Sequence, residues 1–282
     1  MDGLITRGIG GFYTVVNGDE IITCKARGRF RKDGIIPLPG DRVKISVKDD
    51  GMGRLDEILP RKNVFTRPPV ANLDALVMVA SAAPPVSNTL WIDKILGLAL
   101  QKGVMPILCL NKSDIGDTSG MAVMYKNIGF TVIQTAVPTK QGMDELREAI
   151  KGKILAFSGH SGVGKSSILN MLLPEANMPV GEVSDRLGRG RHTTRHVELF
   201  SLGEDTWIAD TPGFSAFDSL DLGDRSNIKE LFPEFEEYIC RFRDCEHIGE
   251  GADCGVISAV KSGEVYESRY ESYKKLRERI EA

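Results

Sequence analysis

The stretch "GHSGVGKSSILN", Gly159 to Asn170, fits G-x-x-x-x-G-K-[ST], the pattern of a phosphate-binding loop. A strand-like run, "KILAFS", precedes it and an apolar helical period follows, which is the context that pattern requires. In such a turn the glycines let backbone N–H groups close around phosphate oxygens, and the helix N-terminus adds a favourable dipole. Lys165 is expected to neutralise the β- and γ-phosphates and Ser166 to ligate Mg²⁺. Gly159, His160, Ser161, Gly162, Val163, Gly164 and Ser167 would form the rest of the cradle, with the His160 side chain only lining it.

A base-reading motif lies on the unexpected side of this loop. "NKSD", Asn111 to Asp114, lies 48 residues before Gly159 and ends the strand-like run "VMPILCL". A carboxylate at Asp114 can accept from guanine N1–H and the exocyclic amine, whereas adenine would leave it unpaired. Asn111 would contact the base and hold neighbouring loops, Lys112 would cover the base through its stem, and Ser113 completes the loop. After the next strand, "FTVIQTA", the Ala136 N–H can reach the guanine carbonyl. Beyond the phosphate loop, "DTPG" (Asp210 to Gly213) fits D-x-x-G, with Asp210 holding Mg²⁺ and the Gly213 N–H meeting the γ-phosphate. Between the two motifs, "GRGRHTTRH" offers Thr193 or Thr194 to complete the Mg²⁺ shell. The elements of a GTPase are therefore present in the order base, phosphate, switch, as if the usual chain had been cut and rejoined.

The surrounding pattern divides the chain into three. Residues 1–66 carry short strands: "GFYTVV" and "EIITCKA" flank Asn17-Gly18, a hairpin signal, and "DRVKISV" and "GRLDEIL" follow. This predicts a small β-barrel, OB-like or SH3-like. Residues 67–218 alternate strand and helix, the mark of an α/β domain with a mainly parallel sheet. Residues 219–282 lose strands and end in a helix where Tyr266, Tyr270, Tyr273 and Ile280 share a face, a packing stripe.

That last section also holds Cys240-x4-Cys245-x-His247-x6-Cys254. Three thiolates and one imidazole make a closed tetrahedral Zn²⁺ site with no place for water, hence structural rather than catalytic. Cys24 and Cys109 sit in apolar runs and read as buried thiols.

Bulk composition narrows the partners. The net charge is −3, yet residues 1–65 carry 12 Lys and Arg against 9 Asp and Glu. A basic head on an acidic body suits a polyanion at the head alone. Lys25, Arg27, Arg29, Phe30, Arg31 and Lys32 form its candidate RNA loop. The longest apolar run, "LVMVASAAPPV", is too short and too proline-broken to span a bilayer, and "MDGLITRGIGGF" has no secretory pattern. Cytoplasmic placement, no membrane, no DNA and a monomer are the expectations.

The permuted order, "GHSGVGKSS", "RGRHTT", "DTPGF" and the cysteine–histidine cluster together resemble the ribosome small-subunit-dependent GTPase A family (RsgA/YjeQ). The resemblance spans nearly the whole chain. It implies a GTPase of late small-subunit maturation, activated by that subunit, with ribosomal RNA as a partner and hydrolysis triggering release. Two departures stand out: six residues, not five, separate His247 from Cys254, and "TTR" replaces a three-threonine run. Phe214 stands where many GTPases place a water-orienting Gln, so intrinsic turnover should be slow. His192 is the internal candidate for handling the proton, while His196 would fall on the next strand and pack. The competing expectation is a nucleotide-gated adaptor in which GTP sets partner affinity and hydrolysis is incidental.

Overall fold

The computed structural model describes residues 1–28, 30, 34–66, 68–173, 197–210, 225–249 and 253–279, with Asp210, Arg225 and Ser226 described by backbone alone. Strands follow in the order β1 (Asp2–Ile9), β2 (Phe12–Asn17), β3 (Glu20–Ala26), β4 (Arg42–Val47), β5 (Gly53–Ile58), β6 (Val64–Thr66), β7 (Pro69–Ala71), β8 (Ala75–Ser81), β9 (Met105–Asn111), β10 (Thr131–Thr135), β11 (Ile154–Ser158), β12 (Glu198–Gly203) and β13 (Thr206–Asp210). The α-helices are α1 (Thr89–Gln101), α2 (Ser119–Asn127), α3 (Met143–Ile150), α4 (Lys165–Leu172), α5 (Gly255–Ser262) and α6 (Glu267–Glu278). Two compact units result: Met1–Leu76 with Met143–Ser158 and Lys165–Ala216, and Val77–Gly142 with Gly159–Gly164 and Phe217–Ala282.

In the first unit, β1 pairs with β2, β2 with β3, β3 in parallel with β5, β5 with β4, and β4 back to β1. The order 1-2-3-5-4-1 closes a five-stranded barrel, the OB topology rather than the SH3-like one. Alternate residues face inward along its strands, and Ile5, Val15, Cys24, Phe30, Val43, Ile45 and Leu55 fill the interior. Burial first, then the Asp56 charge, pushes the Cys24 thiol up to about 11, so it stays an inert apolar group. The linker is docked rather than loose. Arg61 forks onto buried Asp41 at 2.7 and 2.8 Å, and the Asn72 amide reaches the Gly40 carbonyl at 2.8 Å. The same unit holds β11 parallel to β13, with β12 antiparallel to β13 and bridged to β1 at Arg7 and Glu198.

The second unit carries the strand order β10-β9-β8. β9 and β10 run parallel in a register that sets Thr135 beside Asn111 at their C-terminal ends. β8, "ALVMVAS", is buried at every position, as a central strand covered on both faces must be. Helix α1 starts where the Asn88 side chain accepts from the Leu90 N–H at 2.9 Å, and its residues 95–99 are all buried. The C-terminal portion packs Phe232 on Phe235 at 5.2 Å between centroids, with Tyr273 edge-on to both. The tyrosine stripe is core at two positions: Tyr270 and Tyr273 are buried, Tyr266 is half-buried, and Ile280 lies outside the described residues.

Candidate nucleotide site and metal cluster

Two facts of chain geometry build the nucleotide site. β9 ends at Asn111, and Lys112 then adopts a left-handed conformation (φ 63°) that turns the chain sharply out of the sheet. The amides of Ile115 and Gly116 both return to the Lys112 carbonyl, at 3.1 and 3.0 Å, and close the turn. Ser113 is pinned twice to the Thr135 carbonyl, by its N–H and its hydroxyl, each at 3.1 Å. The exposed Asp114 carboxylate has no hydrogen-bond partner among the described residues. It is held out on a rigid turn with its acceptors open.

The buried Asn111 side chain links that turn to the phosphate loop. Its Nδ2 donates to the Val163 carbonyl at 2.9 Å, while its Oδ1 accepts the Thr135 hydroxyl at 3.1 Å. The Thr135 oxygen in turn lies 3.2 Å from the Cys109 sulfur. Thr135 therefore selects the amide orientation that lets Asn111 hold the loop. Gly164 shows how close the approach is. It has φ +98°, and a Cβ there would sit 2.2 Å from Asn111 Nδ2, so only glycine fits.

Other contacts in this region carried no motif. The Lys112 ammonium donates to the Pro84 carbonyl at 2.7 Å, which lays its stem along the loop after β8. His160 stacks on Trp91 of α1, with centroids 3.9 Å apart. The only sequence signal for these was the Pro-Pro pair ending an apolar run, read there as a simple break.

Among the remaining expected residues, the Ala136 N–H donates to the Gln141 carbonyl at 3.1 Å, so a base would have to displace that bond to use it. Gly159, Ser161 and Gly162 continue the loop, Ser161 and Gly162 exposed and Val163 buried beneath them. Lys165 opens helix α4 of the first unit, half-buried, followed by exposed Ser166 and Ser167. His192, Thr193, Thr194, His196, Gly213 and Phe214 lie outside the described residues, as do Arg29, Arg31 and Lys32 of the basic loop and the Asp210 side chain.

The second site is the cluster of Cys240, Cys245, His247 and Cys254, whose ligand atoms all lie within 4.8 Å of one another. Zn–S near 2.3 Å and Zn–N near 2.0 Å put tetrahedral edges at about 3.8 Å between sulfurs and about 3.5 Å between sulfur and nitrogen. Cys240 and Cys254 sulfurs are 3.7 Å apart, and each is 3.5 Å from His247 Nδ1. The donor set fits zinc, and the six-residue spacing leaves Cys254 within the cluster.

Its surroundings act unequally on the thiols: burial, with the neighbouring thiols, pushes Cys254 up to about 11 despite the Ile257 amide, so a bound cation would be needed to hold that sulfur as thiolate. Cys254 is the N-cap of α5 and accepts from the Ile257 N–H at 3.5 Å, placing a helix N-terminus against sulfur. Burial opposes ionisation of Cys240, but amides of Val256 and Gly255 and the neighbouring thiols outweigh it and lower its pKa. Burial first, then Lys229 and Arg277, depresses the His247 imidazolium and favours the neutral ring a metal needs. The Tyr270 hydroxyl fixes the His247 carbonyl at 2.8 Å.

Comparison with known proteins agrees along the whole chain. The family model described as RsgA GTPase matches residues 58–220, and the one described as RsgA N-terminal domain matches residues 2–55. A protein named small ribosomal subunit biogenesis GTPase RsgA, from Caldanaerobacter subterraneus subsp. tengcongensis, is 41% identical over 278 residues, which is 97% of this chain and 93% of that one. One of the same name from Bacillus cereus is 39% identical over 287 residues, 99% of this chain and 97% of its own. Among solved structures, YjeQ from Thermotoga maritima aligns with TM-score 0.86 and 33% identity over 99% of this chain and 98% of its own. YloQ, described as a circularly permuted GTPase, aligns at TM-score 0.81 and 32% identity, covering 99% and 94%.

Proposed function

The chain belongs to the RsgA GTPase family, and on that premise we propose that it hydrolyses GTP as an assembly factor of the small ribosomal subunit. In this reading the subunit stimulates hydrolysis, and hydrolysis drives release. The observation that carries the nucleotide half is the Asn111 amide on the Val163 carbonyl, which couples base reading to phosphate cradling in one rigid assembly. The ribosomal half rests on the names of the relatives.

Each residue has a definite task. Asp114 pairs with guanine N1–H and the exocyclic amine, and Lys112 covers the base along its stem. Backbone N–H groups of residues 159–164 surround the phosphates, and Lys165 offsets their charge. Mg²⁺, which neutralises phosphate charge when bound, would be held by Ser166, by Asp210 through water, and by Thr193 or Thr194. The Gly213 N–H would meet the γ-phosphate. Phe214 cannot orient water through a side-chain hydrogen bond, so His192 or the partner supplies that group. Zinc on Cys240, Cys245, His247 and Cys254 would do no chemistry and would only hold the C-terminal section together.

The division into an RNA-contacting barrel (1–66), a GTPase domain (67–218) and a zinc section (219–282) follows the same reading. Within the basic loop, Arg27 already pairs with Asp56 at 2.5 Å, and Lys25 lies 4.9 Å over the Phe12 ring. A cation stacked on a half-exposed aromatic is a surface on which an RNA base can stack. The factor would act in the cytoplasm as a monomer off the ribosome, without DNA or membrane. No helix of the described residues is long and apolar enough to cross a bilayer.

The test is GTP hydrolysis with and without purified small subunits at two salt concentrations. Strong stimulation that weakens as salt rises is expected. Tight GTP binding without stimulation would overturn the enzyme reading in favour of the gated adaptor, which Phe214 supports.

A further inference from the structure

Helix α1 makes two contacts on opposite sides, and only one of them touches the phosphate loop. On one side Trp91 lies against His160, centroids 3.9 Å apart and planes 30° from parallel. Asp93 is two residues further on, about 200° round the helix, so it faces the other way. There Asp93 Oδ1 accepts the Tyr125 hydroxyl of α2 at 2.5 Å and Arg269 Nη1 of α6 at 2.6 Å. Arg269 forks its remaining donors onto Glu234, at 2.7 and 3.0 Å, and its guanidinium lies 4.5 Å over the Phe232 ring. Arg269 and Asp93 are both 0% exposed.

One turn beyond Asp93 the helix is pressed against the same C-terminal portion. A Cβ on Gly97 would lie 2.5 Å from Leu231 Cβ, so that face has no slack. Ions this deep cannot separate without leaving an unpaired charge in an apolar interior, which fixes the register of α1 on the segments around it. A helix locked on one side and stacked on a loop on the other cannot shift at one contact alone.

We propose that Trp91 is a positioning residue for the phosphate loop, and that α1 transmits to it the seating of the C-terminal segment held by Arg269. The proposal rests on the GTP reading above. It supplies a route between C-terminal docking and the nucleotide that does not pass through the D-x-x-G loop. Trp91 needs no contact with GTP to act. It sets the position of His160, whose backbone belongs to the cradle.

The test uses the full chain without ribosomes and a fluorescent GDP as probe. Trp91→Ala should weaken binding about two- to tenfold, the range of a lost aromatic pair. Trp91→Phe should recover most of that loss, because it keeps a ring against His160. Tyr125→Phe removes one donor from Asp93 far from the loop and should weaken binding about two- to tenfold. In the Trp91→Ala background it should add nothing, since the relay is already broken. Circular dichroism establishes that every variant is folded. Tight wild-type binding left unchanged by Trp91→Ala overturns the proposal alone, as does a Tyr125→Phe effect of equal size in both backgrounds. Failure of the wild-type chain to bind the probe overturns the GTP reading and the proposal with it.

Discussion

The N-terminal barrel and the C-terminal helical portion are both small, and they are held together by different physics. In the barrel each strand is hydrogen-bonded on both edges, so a small core of Ile5, Val15, Cys24, Phe30, Val43, Ile45 and Leu55 suffices. Among its described residues the C-terminal portion has no strand. Two α-helices and two 3-10 turns bury a mixed aliphatic and aromatic core together with Leu98 of α1, and directional bonds add to it: the cysteine–histidine cluster and the Arg269 ion network. The Arg269 network ties this portion to α1 through Asp93, and the cluster ties its own loops together.

Removing one such bond at a time should affect the two regions differently. Cys254→Ser should have the largest effect, since a structural zinc site carries on the order of 10 kcal/mol of binding free energy. Metal analysis should show zinc lost and circular dichroism should show C-terminal helix lost, with the barrel retained. Acid should act in the same direction. Thiolates must be deprotonated to bind, so zinc is held at neutral pH and released as pH falls; retention well below pH 5 would contradict the assignment.

Arg269→Met comes next, because it strands the Asp93 carboxylate in the interior and leaves half-buried Glu234 without its partner. The expected cost is about 3–5 kcal/mol, read as a lower melting temperature of the C-terminal transition. The mirror experiment is Leu55→Ala in the barrel, which should cost about 2–5 kcal/mol through a cavity while zinc content stays unchanged. Zinc loss in that variant would show that the two regions do not melt separately. At the small end, Lys44 and Glu57 pair at 3.0 Å on the barrel surface with both side chains about half exposed. Glu57→Gln should leave the melting temperature unchanged in 0.15 M salt, where exposed pairs are screened.

Legibility followed the range of the signal. Asn17-Gly18 announced the β2–β3 hairpin, and the β9–β10 strands were plain from their apolar runs. β1 was missed. Its register shifts between Ile5 and Arg7, so its buried residues run consecutively from Gly3 to Thr6 instead of alternating. Without β1 the barrel has no closing strand, and OB could not be told from SH3-like by sequence. The β6–β7 hairpin was also missed, being three residues a side and interrupted by proline.

Residue types at short spacing carried the phosphate-loop pattern, the permuted motif order, the cysteine–histidine cluster, and the fold class of barrel, α/β domain and helical tail. Each is a matter of residue types at fixed spacing, which local chemistry constrains. The tertiary structure alone decided which distant side chains meet. Arg269 sits in "ESRYESYKKLRE" and belongs to no motif of the sequence, yet it is buried against Asp93, 176 residues away in the chain. Trp91 and His160 likewise belong to no common motif. Such pairings depend on how helices pack and on where a charge finds its partner once water is excluded, and no local pattern carries that information.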